Sequence, residues 1–280
     1  MSDGFVTRES EKPFFLIFTD LDGTLLDRNT YGWEEAEPAL TLCKKLNVPI
    51  ILASSKTRAE IEVLNRKLSI PAPFISENGG GIFFPVNFFK ETPPGASFDN
   101  GMWKWSLGMP YSHLIEVLRE IKNELGLQIR GFSEMSTDEI SRLTGLDLES
   151  SRLASMREFD EPFIIPDENP TVPQLLINAA VKRGVTVIAG GRFYHLQGKN
   201  NKGIAMAKVI SWYRETHKNV RSIALGDSPN DFYMLEQADL PVLVRSSQKF
   251  SELKKRIPDL RVTAQESPGG WNSAIMDILG

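Results

Sequence analysis

The sequence predicts an α/β protein: a doubly wound parallel sheet with an inserted α+β cap domain. Short apolar runs such as Phe14 to Phe18 and Val48 to Ala53 have the length of buried strands, and segments with helical spacing separate them. Strands that alternate with helices are typical of parallel sheets with right-handed crossovers. Between about Phe88 and Pro110, prolines and glycines interrupt every regular period, which indicates the boundary of an insertion.

Composition and charge are those of an ordinary globular chain. Its 280 residues suffice for one large or two modest domains, and 41% of them are hydrophobic and 24% charged. A net charge of −4 with scattered basic residues gives no footprint for nucleic acid or an anionic membrane. The single cysteine, Cys43, cannot form an internal disulfide, and we find no membrane-length apolar run or signal peptide. We therefore expect a cytoplasmic protein, and the sequence leaves its oligomeric state open.

The first predicted strand delivers two carboxylates to its end. Residues alternate sides in extended backbone, so Asp20 and Asp22 project the same way after the apolar run. Neighbouring carboxylates repel, and a hard divalent cation that prefers oxygen ligands, Mg²⁺ above all, relieves the repulsion. Gly23 permits a sharp turn that Thr24 can hold. Parallel sheets bind ligands at the carboxyl ends of their strands, so we expect the functional site here.

The next elements repeat this arrangement. We predict a helix over Trp33 to Leu46, with Pro38 in its first turn, and a second strand that ends at Ser54-Ser55-Lys56-Thr57. A helix through Ile61 and Leu68 follows, then a very short strand, Phe74-Ile75, which breaks at a stretch rich in glycine. Three strand ends therefore carry polar residues.

The middle of the chain predicts a helix-backed antiparallel sheet. Ser136 and Glu139 have the spacing of a capping box before a further helix. The predicted elements around it are a helix over Tyr111 to Leu125, a strand over Leu127 to Phe132, a strand over Phe163 to Ile165, a helix over Thr171 to Arg183, and two strands, Val185 to Ala189 and Phe193 to Leu196, joined by Gly190-Gly191-Arg192. We assign residues 89–197 to a cap that could close over the carboxylates, and residues 1–88 with 198–280 to the core.

The last part of the chain returns to the first sheet. Asn200-Asn201-Lys202-Gly203 precedes a predicted helix over Ile204 to Tyr213. The strand Ser222 to Leu225 then ends in Gly226-Asp227-Ser228-Pro229-Asn230-Asp231, which again places acids at a carboxyl end. Three more predicted elements follow: a helix from Phe232 to Leu235 and two short strands, Val242 to Val244 and Arg261 to Thr263.

Four motifs in this order resemble those of the haloacid dehalogenase-like phosphatase superfamily: the DxDGT sequence at Asp20, Ser54 after a strand, Lys202 before a helix, and the GDxxND sequence at Asp227. The resemblance implies an enzyme in which Asp20 attacks phosphorus to give an aspartyl phosphate, while Asp22 serves as general acid and base. It also implies that Ser54 hydrogen-bonds a phosphoryl oxygen and that Lys202 offsets negative charge.

The same resemblance implies a Mg²⁺ site. The metal would be held by the carboxylates of Asp20 and Asp227 and by the backbone carbonyl of Asp22, with Asp231 supporting it directly or through water.

Finer similarity indicates a substrate class. The segments that carry it resemble the mannosyl-3-phosphoglycerate phosphatases, and they are Ser54 to Arg58, Ser76 to Gly80, Gly190 to Phe193 and Gly226 to Asp231. Members of that family release mannosylglycerate, a compatible solute, from a small substrate that carries a carboxylate and a sugar besides its phosphate. The expected substrate-binding residues are Ser55, Asn78, Arg192, His195 and Asn230.

Within this set we assign roles to two cap residues. Arg192 is expected to bind the glycerate carboxylate, with Arg130 and Arg157 as weaker candidates. His195 shares a strand face with Arg192 and could contact the sugar.

Other functions remain open at this stage. A phosphatase for another sugar phosphate, such as glucosyl-3-phosphoglycerate, or a phosphosugar mutase would use the same four motifs. A phosphoacceptor signalling module also gathers aspartates, Mg²⁺, a hydroxyl and a lysine at the end of a parallel sheet, but it has no use for a cap or for Asp22 as acid and base.

Overall fold

The fold is built on two sheets. The computed structural model describes residues 12–165, 172–189, 193–247 and 250–280. Its larger sheet has nine strands in the order β13-β12-β11-β1-β2-β3-β4-β6-β5, and its smaller sheet has four in the order β7-β8-β10-β9. The strands of the larger sheet are β1 (Phe14–Thr19), β2 (Ile50–Ala53), β3 (Phe74–Ser76), β4 (Gly81–Pro85), β5 (Ser97–Asp99), β6 (Met102–Ser106), β11 (Val220–Gly226), β12 (Leu240–Arg245) and β13 (Arg261–Glu266). Those of the smaller sheet are β7 (Arg130–Gly131), β8 (Asp160–Ile164), β9 (Thr186–Ala189) and β10 (Tyr194–Gln197).

Helices cover both sheets. The helices that accompany the larger sheet are α1 (Glu37–Lys45), α2 (Arg58–Leu68), α7 (Lys202–Thr216), α8 (Phe232–Gln237), α9 (Ser251–Arg256) and α10 (Gly269–Leu279). Those of the cap are α3 (Tyr111–Leu125), α4 (Thr137–Thr144), α5 (Leu148–Ala154) and α6 (Val172–Lys182). None of the helices in these ranges combines the length and the apolar character that a membrane span requires.

Strand β1 lies inside the larger sheet. It pairs in parallel with β11 on one side and with β2 on the other. Alternate residues of β1 enter different apolar cores, Leu16 on one face and Ile17 on the other, as the covered faces of a doubly wound sheet require. The continuous apolar run of β1 therefore follows from its position, and the predicted parallel α/β core is confirmed.

The smaller sheet confirms the predicted antiparallel module. Strand β10 pairs antiparallel with β8 and β9, and β7 pairs antiparallel with β8. Helices α3 and α6 pack their apolar faces, including Leu114 and Leu176, against Phe163 and Leu196 of the strands. A third apolar core thus belongs to this module, separate from the two cores of the larger sheet.

The predicted helix starts have identifiable caps. Thr57 begins α2 with a capping box, in which its side chain accepts the N–H of Glu60 and the Glu60 carboxylate accepts the N–H of Thr57. Ser136 caps α4, and the side chain of Asn201 accepts the N–H of Ile204 at the start of α7. This N-cap fixes the start of α7, and Lys202 is the first residue of that helix.

Two strands were not predicted, and one local prediction was wrong. The region after residue 88 contains strands β5 and β6, because Met102–Ser106 pairs with Gly81–Pro85 and continues the larger sheet by antiparallel neighbours. Leu127 to Phe132 is strand at Arg130–Gly131 alone, and Phe132 begins a short 3₁₀ turn. The domain division at residue 89 stays a prediction; the pairing of β6 indicates that the core sheet extends to Ser106.

Candidate active site

The carboxyl ends of β1 and β11 form one wall of a cavity of about 310 Å³ between the two sheets. Its lining residues come from the strand ends of the larger sheet, the loops beside them and the cap: Asp20, Asp22, Arg28, Ser55, Asn78, Ile188, Ala189, His195, Asp227, Ser228, Pro229 and Asn230. Two larger grooves, of about 550 and 560 Å³, lie elsewhere and contain none of these residues. The cavity therefore gathers the groups that could do chemistry.

Three buried carboxylates meet beside this cavity. Asp20, Asp227 and Asp231 each place an oxygen within 4.8 Å of the others. Burial, together with the charges of Asp231 and Asp227, raises the pKa of Asp20 to about 8, although Lys202 opposes this. Burial and the charge of Asp231 likewise raise the pKa of Asp227 to about 7. Buried oxygen ligands that repel one another fit a hard divalent cation such as Mg²⁺.

Asp231 contacts the other groups of the cluster through both of its carboxylate oxygens. Its Oδ2 accepts hydrogen bonds from the N–H groups of Asp227 and Ser228, at 3.0 and 3.1 Å. Its Oδ1 accepts a bond of 2.7 Å from Lys202 Nζ. Both oxygens are engaged by the protein, so the contacts favour the indirect, supporting role for Asp231.

Lys202 is completely buried between two of the acids. Its Nζ donates to Asp20 Oδ1 at 2.6 Å and to Asp231 Oδ1 at 2.7 Å. Burial alone would lower the pKa of Lys202, but the charges of Asp20 and Asp231 raise it above its ordinary value. The ammonium group is therefore a fixed positive charge beside the expected nucleophile.

The side chain of Asp22 points to a different partner. Its Oδ2 lies 2.8 Å from Lys56 Nζ, and it is not part of the three-carboxylate cluster. Burial opposes the charge of Lys56, but Asp22 and Glu60 raise its pKa above the ordinary value. This geometry agrees with a backbone rather than a side-chain contact from Asp22 to the metal, which stays a prediction.

Ser54 and Ser55 directly follow β2, the second strand of the chain. Ser54 is buried, and its Oγ accepts the N–H of Lys56 at 3.2 Å, which leaves its own hydrogen to donate. Ser55 lines the cavity directly, and its carbonyl accepts a bond of 2.9 Å from Arg157 Nη1.

Asn78 connects three parts of the site. It has a φ of 53°, and its Oδ1 accepts a bond of 3.0 Å from Asn230 Nδ2. Its Nδ2 lies 3.5 Å from the Oε1 atom of Gln197, which ends strand β10 of the cap. The neighbouring Gly79 has a φ of 91°, and a Cβ there would collide with the backbone of Asn201. This loop thus joins the core, the Asp227 loop and the chain that returns from the cap.

The predicted cap residues divide into three groups. His195 lines the cavity, and its Nδ1 lies 2.7 Å from Asp160 Oδ2. Arg192, with Gly190 and Gly191, lies outside the described residues. Arg130 bonds Glu139 on the exposed side of the cap, and Arg157 is engaged by Asp160 and by core and cap carbonyls. Neither of these last two arginines lines the cavity.

Sequence reasoning missed several residues of the site. Lys56 stands inside a motif that was recognised, but its pairing with Asp22 joins two strand ends that sequence spacing does not relate. Arg28 follows the first motif in a polar loop and pairs with Asp227. Glu77 accepts the N–H groups of Glu158 and Phe159 from the cap, with bonds of 3.0 and 2.8 Å. No local pattern in the sequence marks these long-range contacts.

The environment of Glu77 predicts a pH dependence of stability. Burial raises the pKa of this carboxyl to about 8, although Arg157 opposes the shift. The folded protein then keeps a proton that the unfolded chain has lost above its ordinary pKa of 4.5. The associated stability is full below 4.5 and is lost as the pH rises through about 8. We expect the free energy of unfolding, measured with urea in the presence of a chelator, to fall over this range.

The matched variant is Glu77→Gln, which does not titrate. Asp20 and Asp227 shift in the same direction and remain in both proteins, so the difference between the two pH profiles isolates Glu77. The variant should show a shallower decline than the wild type. Parallel profiles would contradict a raised pKa at Glu77.

Comparison with known proteins identifies relatives over nearly the whole chain. Residues 17–91 match a family described as haloacid dehalogenase-like hydrolase. A glucosyl-3-phosphoglycerate/mannosyl-3-phosphoglycerate phosphatase from Methanococcoides burtonii is 40% identical over 267 residues, which cover 95% of this chain and 97% of that protein. The mannosyl-3-phosphoglycerate phosphatase of Pyrococcus furiosus is 34% identical over 229 residues, covering 82% and 90%.

Solved structures show the same fold. A Thermoplasma acidophilum protein, 0175, superposes with a TM-score of 0.69 at 19% identity, covering 96% of this chain and all of that one (100%). The haloacid dehalogenase subclass IIB sugar phosphatase BT4131 superposes with a TM-score of 0.62 at 15% identity, covering 94% and 98%. At these identities the likeness concerns the architecture alone.

Proposed function

This chain belongs to the haloacid dehalogenase-like hydrolases and is a phosphatase of that family, and we propose that its substrate is mannosyl-3-phosphoglycerate or its glucosyl counterpart, hydrolysed with the help of Mg²⁺. The observation that carries the proposal is the cavity lined by Asp20, Asp22 and Asp227, in which the buried Lys202 donates a hydrogen bond to Asp20. The full-length similarity to relatives named for these two substrates supports the substrate class, with the two sugars equally supported.

The proposed chemistry gives the two aspartates that follow β1 the roles that the family resemblance implies. A carboxylate oxygen of Asp20 attacks phosphorus, the bond from phosphorus to the glycerate oxygen breaks, and an aspartyl phosphate forms. The departing oxygen takes a proton from the carboxyl of Asp22. Asp22 then accepts a proton from water, whose oxygen attacks phosphorus and restores the Asp20 carboxylate. Inorganic phosphate and the glycosylated glycerate are the products.

The residues that would hold Mg²⁺ are Asp20, Asp227 and the backbone carbonyl of Asp22, with Asp231 in support. Bound there, the cation supplies positive charge that offsets the phosphoryl group and the acids around it. Lys202 contributes a second positive charge from the protein, next to Asp20 Oδ1. Ser54 is proposed to donate its hydroxyl to a phosphoryl oxygen, since its Oγ already accepts the N–H of Lys56.

Recognition beyond the phosphate is assigned to residues around the rest of the cavity. Ser55, Asn78, Asn230 and His195 are proposed substrate ligands, and each of them lines it. Arg192 stays the proposed partner of the glycerate carboxylate on the basis of the sequence. We propose a cytoplasmic location, in keeping with a single, buried cysteine.

Phosphate release across a substrate panel tests this function. We expect kcat/KM for mannosyl- and glucosyl-3-phosphoglycerate to be at least about 100-fold higher than for simple sugar phosphates and p-nitrophenyl phosphate. The reason is that the contacts to the glycerate and the sugar form only with the glycosylated phosphoglycerates. A chelator should stop all turnover, and Mg²⁺ should restore it. Equal kcat/KM values across the panel would exclude the proposed substrate, and migration of phosphate without release would indicate a mutase.

A further inference from the structure

We propose that His195 accepts a hydrogen bond from a sugar hydroxyl through its Nε2, and that Asp160 and Arg157 are positioning residues that hold the imidazole for this contact. The inference deepens the proposed function and rests on it, because a glycosylated substrate is required.

His195 is the polar contribution of the cap to the cavity wall. Within the described ranges, the other cap residues that line the cavity are the apolar Ile188 and Ala189. The imidazole is held from behind, because its Nδ1 lies 2.7 Å from Asp160 Oδ2. Its side chain keeps 16% of its exposure, whereas that of Asp160 keeps 0%. The ring is thus anchored on the buried side and open on the cavity side.

The bond to Asp160 determines what the free nitrogen can do. A carboxylate accepts, so Nδ1 must carry the hydrogen in this pair. In the neutral ring Nε2 then has a lone pair and acts as an acceptor. The matching ligand group is a hydroxyl donor, which a sugar offers repeatedly, and not the glycerate carboxylate, which accepts as well.

Arg157 holds Asp160 and ties it to the catalytic core. Its Nη1 lies 3.3 Å from Asp160 Oδ2 and donates a bond of 2.9 Å to the carbonyl of Ser55. Its Nε donates to the carbonyl of Ala154 at 2.9 Å. The other oxygen of Asp160, Oδ1, is buried and has no hydrogen-bond partner in the part of the chain that the structure describes. One oxygen of Asp160, Oδ2, therefore contacts both His195 and Arg157. Because Arg157 also bonds the carbonyl of Ser55, these contacts fix the position of the imidazole relative to the end of β2.

Two variants of His195 distinguish the roles of its two ring nitrogens, Nδ1 and Nε2. Asparagine places its amide near the position of Nδ1 and can still bond Asp160, but nothing reaches the position of Nε2. Glutamine reaches that position with an oxygen that can accept a hydroxyl. We expect His195→Asn to raise KM for mannosyl-3-phosphoglycerate about tenfold, as for one lost hydrogen bond in a desolvated site. His195→Gln, which restores the acceptor without the bond to Asp160, should raise KM by less than His195→Asn does.

Two reference measurements locate the contact on the sugar. In His195→Asn, the turnover of p-nitrophenyl phosphate, which carries no sugar, should fall by much less than kcat/KM for the glycosylated substrate, and thermal unfolding of both variants shows that they fold. The inhibition constant of 3-phosphoglycerate, which has the phosphate and carboxylate but no sugar, should not change in either variant. If His195→Asn weakens 3-phosphoglycerate as strongly as the glycosylated substrate, the histidine binds the glycerate and the inference is overturned.

Asp160→Asn tests the positioning role. It should raise KM for the glycosylated substrate while leaving kcat and p-nitrophenyl phosphate turnover near wild type, and adding His195→Asn should raise KM little further. Full additivity of the two substitutions would show that Asp160 does not act through His195.

The failure of this inference can be told from that of the proposed function. A wild-type protein that hydrolyses neither glycosylated phosphoglycerate with a higher kcat/KM than 3-phosphoglycerate would overturn both. A preference that survives His195→Asn would overturn the inference alone.

Discussion

Asp20→Asn is expected to reduce turnover of every phosphomonoester by roughly 10⁴-fold or more, because the amide keeps the shape of the side chain but is no nucleophile. The fold should survive. Asp20 follows the carboxyl end of β1, and its backbone N–H donates a hydrogen bond of 2.9 Å to the carbonyl of Leu225 whichever side chain is present. Steady-state phosphate release at saturating Mg²⁺, with thermal unfolding of the same samples, measures both expectations.

A chemical trap makes the assignment specific to this residue. Borohydride reduces an acyl phosphate to an alcohol, so protein quenched during turnover and then reduced should carry homoserine at position 20. Asp259→Asn, at an exposed aspartate on the core, is the matched control and should keep full activity. Appreciable turnover in a clean Asp20→Asn preparation, or a trapped label at another aspartate, would remove Asp20 from the nucleophile's role.

Lys202→Met should lose both activity and stability. The substitution keeps most of the side-chain volume but leaves Asp20 and Asp231 buried without the ammonium group that lies 2.6 and 2.7 Å from them. Removing one partner of a buried ion pair typically costs about 3 to 5 kcal/mol of the free energy of unfolding. Urea denaturation in the presence of a chelator measures this cost, and phosphate release measures the activity.

A second substitution separates the two losses. Lys202→Met combined with Asp231→Asn removes one of the stranded charges, so it should recover part of the stability and none of the activity. Lys208→Met on the same helix is the control: Lys208 stands 4.3 Å from the centre of the Trp105 ring, and its loss should cost about 1 kcal/mol or less. If Lys202→Met unfolds no more easily than this control, the buried pairs contribute less than their geometry indicates.

The core of the fold could be predicted because its strands are buried on both faces. The apolar run of β1 shows this position directly, and the capping residue Ser136 marks the start of α4. Strands β5 and β6 escaped prediction because they lie at the edge of the sheet among glycines and prolines, where few positions are fully buried. Their pairing, from Met102 to Pro85, depends on tertiary contacts rather than on local sequence.

Some residues of the site could likewise be predicted from the sequence, and others could not. Asp20, Lys202 and Asp227 stand in short motifs whose order could be read along the chain, and the structure brings them together. Lys56, with its partner on another strand end, and Asp160, whose partner His195 lies on a neighbouring strand, give no such signal. Pairs between polar side chains on different strands become visible only when the register of the sheet is known.

The parallel pairing of β1 with β11 also governs how the protein must fold. Phe14 pairs with Val220, so the sheet cannot close around its nucleophile strand until more than two thirds of the chain has been synthesised. Such non-local pairing slows folding, because a long loop must close before its contacts form. During translation the apolar residues of β1 remain unpaired on the side that β11 later occupies. The cap can assemble first, because its strands β7 to β10 lie within residues 130–197. The nucleophile is thus synthesised early and acquires its lysine and its acidic neighbours last.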